Sequence, residues 1–271
     1  MNCDAQGRAR IAAFFDLDGT LVALPSLERR FFRMLRYRRA ITAQNYWLWL
    51  AEAVRLSPYG VNSILHGNKM YLRGVAVERL GKGCLRPAPP FMEEGLERVA
   101  WHARQGHAIV IVSGTVQPLA METVRAIETE LAALGLAVPV RVCATRLEEK
   151  EGRWTGRIIG EAVFGHAKVR AAKRMAEEME LDLAACYAYG DSVNDRYLLE
   201  TVGRPSAVNP SKELEQIARE QGWPVLRWKT GKSLVHGAQK TQSTQRGKEE
   251  TGDLEAGALR EIREASARSL G

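Results

Sequence analysis

No apolar run in this 271-residue chain approaches the roughly twenty residues a membrane-spanning helix needs; the longest are strand-sized and interrupted by charge. The opening residues, MNCDAQGRARIAAFF, offer no secretory leader, because their apolar part is too short and ends on Asp16. Cysteine is scarce. The four (Cys3, Cys84, Cys143 and Cys186) lie far apart with no CxxC pair, which excludes the usual zinc and disulfide frameworks. Reduced thiols and a cytoplasmic location are the expectation. Aspartate is absent between Pro25 and Arg86, where 12 Lys or Arg face 3 Glu, a balance of +9. The whole chain carries +7, so the remainder is slightly acidic, at −2. A basic segment in a near-neutral protein points to an anionic neighbour: a phosphorylated substrate, a lipid headgroup or nucleic acid. A solvated helical surface gives the same pattern. Zinc-finger, RNA-binding and helix-turn-helix signatures are missing, so nucleic acid is not an expected partner.

What is present is ordinary for a globular protein. Short apolar or β-branched runs recur at Ile11–Phe15, Ala108–Val112, Val140–Cys143, Cys186–Tyr189, Ser206–Val208 and Pro224–Trp228. Helical patterns such as PFMEEGLERVAWHARQG and GHAKVRAAKRMAEEMEL separate most of them. Buried strands alternating with helices predict an α/β fold with a doubly wound parallel sheet. In such sheets the functional crevice lies beyond the carboxyl ends of the strands. Asp16 and Asp18 follow the first run, Ser113 follows AIVIV and Asp191 follows ACYAYG, so three polar sites converge on one rim.

Residues 25–86 break the alternation. SLERRFFRMLRYRR places Leu27, Phe31, Met34 and Leu35 at helical spacing with arginines between. TAQNYWLWLAEAVRL and NSILHGNKMYLRG read as further helices, with Thr42 and Asn62 as N-caps. This predicts a small helical insertion whose aromatic residues (Phe31, Tyr46, Trp47, Trp49) form its core. RLEEKEGRWTGRI, residues 146–158, predicts a β-hairpin turning at Glu151-Gly152. Residues 229–271 are polar and aperiodic, which predicts a disordered tail with at most a short helix near its end.

The chemistry follows from charge. Hydrolysis of a phosphate monoester is among the slowest uncatalysed biological reactions, and a carboxylate nucleophile divides it into two easier steps. Such a site needs a nucleophile, an acid for the leaving oxygen, a cation and donors to phosphate. Asp16 and Asp18, two apart, leave an extended backbone on the same side and can divide nucleophile and acid between them. Asp191 and Asp195, in GDSVND, add hard oxygen ligands suited to Mg²⁺. Ser113 can donate through its hydroxyl, with the N–H groups around Gly114 at the start of a helix. Lys168 can offset the gathered negative charge.

DLDGTLV, the VSGT strand end, Lys168 and GDSVND, in that order, resemble the four motifs of the haloacid dehalogenase superfamily. The insertion is similar to that superfamily's type I cap. The hairpin and the ending AVNPSKELEQIAREQGWPVLRW resemble subfamily IB, the branch with the phosphoserine phosphatases. The resemblance spans residues 10–228. It implies a Rossmann-like core of residues 1–24 and 87–228, a helical cap of residues 25–86, and Mg²⁺-dependent hydrolysis of a small phosphate ester through an aspartyl-phosphate. By the same resemblance Asp16 is nucleophile and metal ligand. Asp18 is the general acid/base and lends its backbone carbonyl to the metal. Ser113 and Gly114 bind phosphate, Lys168 steadies the phosphoryl group, and Asp191 is the remaining carboxylate ligand. Asp195 orders the metal's water shell or Lys168, and Asn194 reaches the substrate. Gly19-Thr20 can also be a turn alone, and Asp195 a helix N-cap.

Two departures bear on substrate. Phosphoserine phosphatases place a Glu soon after the first motif, whereas here VALPSLERR brings Glu28 late and beside two arginines. They follow the second-motif Ser with two glycines, whereas this chain reads Ser113-Gly114-Thr115. A basic, Trp-rich cap suits a more anionic or more apolar ester, such as a lysophospholipid, sugar or polyol phosphate, and allows contact with a membrane surface. A phosphotransferase or mutase, a receiver-like module and an anionic-surface binder are the alternatives. Oligomeric state is not legible.

Overall fold

The apolar runs pair as expected. In the computed structural model, which describes residues 10–80 and 90–231, there are eight strands: β1 (Ala12–Phe15), β2 (Ala108–Val116), β3 (Val140–Thr145), β4 (Leu147–Lys150), β5 (Arg153–Ile158), β6 (Tyr187–Gly190), β7 (Arg204–Val208) and β8 (Val225–Leu226). Six form one sheet in the order β3-β2-β1-β6-β7-β8, with every pairing parallel. The chain runs outward from β1 to β3, then resumes on the other side of β1 at β6. That reversal opens a crevice at the carboxyl ends of β1 and β6. β4 and β5 form the expected antiparallel hairpin. Glu151 and Gly152 both hold positive φ (52° and 70°), the requirement of a tight two-residue turn.

Among the described residues eight α-helices connect these strands. α1 (Leu27–Tyr37), α2 (Ala43–Leu56) and α3 (Val61–Gly67) follow β1, and α4 (Glu93–Arg104) leads into β2. α5 (Gln117–Ala133), α6 (His166–Met179), α7 (Arg196–Thr201) and α8 (Lys212–Glu220) complete the set. Period-two alternation sends Ala12 and Phe14 to one face, where they join Val110, Val112, Ala188 and Ala207 of the sheet. α6, α7 and α8 seal that face with Ala171, Ala172, Leu198, Leu199, Leu214 and Ala218. On the other face Phe15 stacks on Tyr189 at 4.6 Å and meets His102 of α4 edge-on. Phe14 and Phe15 are fully buried, each stabilising the fold by about 1.5–3 kcal/mol. Cys143 and Cys186 are buried free thiols, whereas Cys3 and Cys84 lie outside the described residues.

Several expectations need correction. α3 starts at Val61 with Gly60 (φ 88°) as its cap residue, so Asn62 lies in the first turn and does not cap it. Thr42 does cap α2, sharing a reciprocal box with Asn45. The aromatic residues do not all enter a core. Phe31 is fully buried, but Tyr46 and Trp47 are 47% and 71% exposed. The reason is that α2 turns Asn45 and Ala53 inward, with Asn45 Nδ2 donating to the Arg73 carbonyl at 2.7 Å, which rotates Trp47 outward. The sequence also starts a helix at Gly114. Instead β2 continues to Val116, with a register irregularity between Ser113 and Val116, and α5 begins at Gln117. The expected tail lies outside the described residues, as do residues 81–86 of the insertion and residues 87–89 after it. Among the described residues no helix is long and apolar enough to cross a membrane.

Candidate active site

β1 ends in the centre of the sheet, so the residue after Phe15 emerges into the crevice. Asp16 N–H donates to the Tyr189 carbonyl at 2.9 Å, continuing the β1–β6 ladder one step and fixing the Asp16 backbone. Lys168, in the first turn of α6, reaches across to it. Its Nζ donates to Asp16 Oδ1 and to Asp195 Oδ1, both at 2.5 Å. All three side chains are under 10% exposed. Asp191 follows β6 directly, and one oxygen from each of Asp16, Asp191 and Asp195 lies within 4.8 Å of the others.

These groups raise and lower one another's proton affinity. Burial pushes the Asp16 and Asp191 carboxyls well up, and neighbouring carboxylates push Asp191 further. Burial alone disfavours charge on Lys168, but Asp16 and Asp195 outweigh it and keep the ammonium firmly protonated. Burial also raises Asp18 to about 6, although the Leu27 N–H, donating to Asp18 Oδ1 at 2.7 Å, pulls the other way. A carboxyl whose proton affinity is raised toward neutrality is suited to serve as a general acid. Three carboxylates against one lysine leave a strong demand for positive charge. Their hard oxygens are the donor set that Mg²⁺ prefers, so the residues fit a divalent cation.

Asp195 is the most heavily engaged of the three. Its Oδ1 takes Lys168, and its Oδ2 takes the Ser192 N–H and hydroxyl at 3.0 and 2.8 Å. Protein donors on both oxygens favour an orienting role over direct ligation. Ser113 is 1% exposed and its Oγ accepts the Thr115 N–H at 3.2 Å. Ser113, Gly114, Asn194, Asp16, Asp18, Lys168 and Asp191 all line one cavity of about 300 Å³. The structure thus brings every expected site residue except Asp195 into the cavity wall, and Asp195 sits directly behind it on Lys168.

Sequence reasoning missed several members of that wall. Thr115 lines it, and its Oγ1 is buried without a hydrogen-bond partner, a donor left over for a ligand. His66 from α3 and Phe164 stack at 5.1 Å on its outer side. Thr145, fully buried at the end of β3, donates to the Gly114 carbonyl at 2.8 Å and accepts the Val163 N–H at 3.1 Å, tying two stretches of the wall together. Its place at a strand end was the available signal. His66 and Phe164 carry no spacing that marks them.

The geometry agrees with known proteins. Residues 13–200 match the family model for haloacid dehalogenase-like hydrolases. A probable phosphatase of Mycobacterium tuberculosis is 30% identical over 239 residues, spanning 84% of this chain and 78% of its own length. A phosphoserine phosphatase of the same organism is 31% identical over 231 residues, spanning 79% and 70%. Among solved structures, a Bordetella pertussis protein of unknown function is 28% identical with a TM-score of 0.61, covering 80% of this chain and 98% of that one. A phosphoserine phosphatase, solved as a phospho-aspartyl intermediate analogue, shares the fold at 19% identity and a TM-score of 0.57, covering 82% and 95%. The chain belongs to the haloacid dehalogenase-like hydrolases and falls with their phosphatases.

Proposed function

We propose that the protein is a Mg²⁺-dependent phosphomonoesterase working through a phosphorylated Asp16. The observation that carries this reading is the buried ion pair Asp16–Lys168, backed by Asp195 and with Asp191 adjoining, in a cavity that Asp18 and Ser113 also line. Asp16 and Asp191, with the Asp18 backbone carbonyl, hold the cation, and Asp195 orders its surroundings. When bound, Mg²⁺ offsets the negative charge gathered by the phosphate and the carboxylates.

The chain's own groups do the rest. Asp16 attacks phosphorus with the oxygen not taken by Lys168, and the bond from phosphorus to the leaving oxygen breaks. Asp18 delivers its proton to that oxygen, and as a carboxylate then takes one from the water that releases phosphate. Ser113 and the neighbouring N–H groups hold the phosphate oxygens, with the unpartnered Thr115 hydroxyl as a further donor. Lys168 keeps Asp16 oriented and charged. The helices of residues 25–86 act as a cap over this crevice and Asn194 contacts the substrate.

Released phosphate from p-nitrophenyl phosphate tests the proposal. Wild-type protein turns the ester over with Mg²⁺ and stops when the metal is chelated. Asp16→Asn loses turnover and keeps its circular dichroism and melting profile. Equal turnover in the variant removes the mechanism.

A further inference from the structure

The cavity that holds the carboxylates adjoins a second one, in the helices between β1 and β2. It has a volume of about 470 Å³ and shares Ser26, Glu28 and Leu65 with the first. Its other walls are Phe32 from α1, Tyr46 and Trp49 from α2, Tyr71, and Arg29 at an exposed edge. Phe32 and Tyr71 meet edge to face at 5.5 Å, and both are half-buried, as is Trp49. Aromatic walls at this position face whatever group the phosphate is esterified to.

Charge at the junction is already spent. Glu28 is the carboxylate in these walls, and both its oxygens accept from Lys69 Nζ, at 2.7 and 2.6 Å. Lys69 is 2% exposed and Glu28 20%, so the pair forms a neutral unit largely withdrawn from solvent. His66, beside it, is held toward its neutral form by burial and by the Lys69 charge. An ammonium entering here would lose its hydration and find its counter-ion already occupied. A methylene chain would lose nothing and gain the walls.

We infer that the substrate is the phosphate monoester of an apolar alcohol, its alkyl or acyl chain lying along Phe32, Trp49 and Tyr71 while its phosphate meets Asp16. This rests on the phosphatase reading above and names its substrate class. The phosphorus–alkoxide bond breaks as the Asp16–phosphorus bond forms, the alcohol leaves with the proton from Asp18, and water then regenerates the carboxylate. Glu28 and Lys69 act as a neutral collar between the phosphate and the chain.

The test is a series of n-alkyl phosphates from ethyl to octyl, with O-phosphoserine alongside, each measured for kcat/KM with Mg²⁺. The inference expects kcat/KM to rise about two- to fourfold per methylene until the groove is filled, with O-phosphoserine below butyl phosphate. Trp49→Ala flattens that slope and Trp49→Phe preserves it. The slope is a ratio within one variant, so partial loss of folded protein does not mimic the effect. A flat series from a protein that hydrolyses ethyl phosphate, or O-phosphoserine outrunning hexyl phosphate, overturns the inference and leaves the phosphatase reading standing. An unchanged slope in Trp49→Ala overturns it too. No turnover of any ester overturns both.

Discussion

Gly19→Ala separates the catalytic constellation from the stability of the fold. Gly19 sits in the turn after Asp18 at φ +92°, and a Cβ built there lies 2.1 Å from Asp191 Oδ2 and 2.6 Å from its Cγ. Two costs follow. The backbone conformation disfavours any L side chain by about 1–2 kcal/mol, and the Asp191 carboxylate must withdraw by roughly 1 Å to reach ordinary contact. The first is small beside a total stability of about 5–15 kcal/mol, so the variant still folds. It lowers the melting temperature by a few degrees, at about 2–4 °C per kcal/mol for a chain of this size. The second is severe, because a displacement of about 1 Å in a reacting constellation costs on the order of 100-fold in rate. Phosphate release measured against Mg²⁺ concentration, beside urea denaturation of the same preparation, reads both. The expected result is kcat/KM down about 100-fold with a rightward shift in the Mg²⁺ curve and a nearly normal unfolding transition. Wild-type turnover at wild-type Mg²⁺ concentrations would refute the placement of Asp191 against Gly19 and its role as a ligand.

Further predictions follow from the carboxylate cluster and its supports. Burial raises Asp18 to about 6 and Asp191 to about 9 from an ordinary 3.8, so the metal-free fold binds protons that the unfolded chain has released. Their contribution to stability in urea should therefore be greatest below about pH 4 and be lost progressively toward pH 9. Mg²⁺ must displace those protons, so its apparent affinity, by titration calorimetry, should rise over the same window by up to about tenfold per pH unit per proton released. An affinity independent of pH contradicts this. Thr145→Val removes the bonds to the Gly114 carbonyl and the Val163 N–H and leaves both groups short of a partner. It should cost about 1–3 kcal/mol in urea and slow turnover, whereas Thr145→Ser restores both. Full activity in the valine variant would show that Gly114 does not depend on this tie.

The fold and most of the site were legible because each rests on short-range pattern. Apolar runs of three to five residues between helical periods pack best as a buried parallel sheet, and the functional groups sit at their ends. Asp16, Ser113 and Asp191 were therefore placed by counting from strand ends. Asp195 and Lys168 came from the ordered motifs, since nothing in local spacing brings a residue of α6 within 2.5 Å of the Asp16 carboxylate that follows β1. The failures are tertiary. Trp47 and Tyr46 look like core by composition, but the face α2 buries is set by the Asn45 bond to Arg73, made 28 residues away. Gly114 looks like a helix start, but pairing with β3 holds the chain extended to Val116. The Glu28–Lys69 pair joins residues 41 apart in sequence and no periodicity announces it.

The central claim is that phosphorus is transferred to Asp16. Protein mixed with substrate and Mg²⁺, quenched within one turnover and reduced with borohydride, converts an acyl phosphate to an alcohol that peptide mass spectrometry locates. The account predicts homoserine at position 16, present only when substrate and Mg²⁺ are both supplied. Turnover with position 16 unmodified, or the modification on another residue, contradicts it.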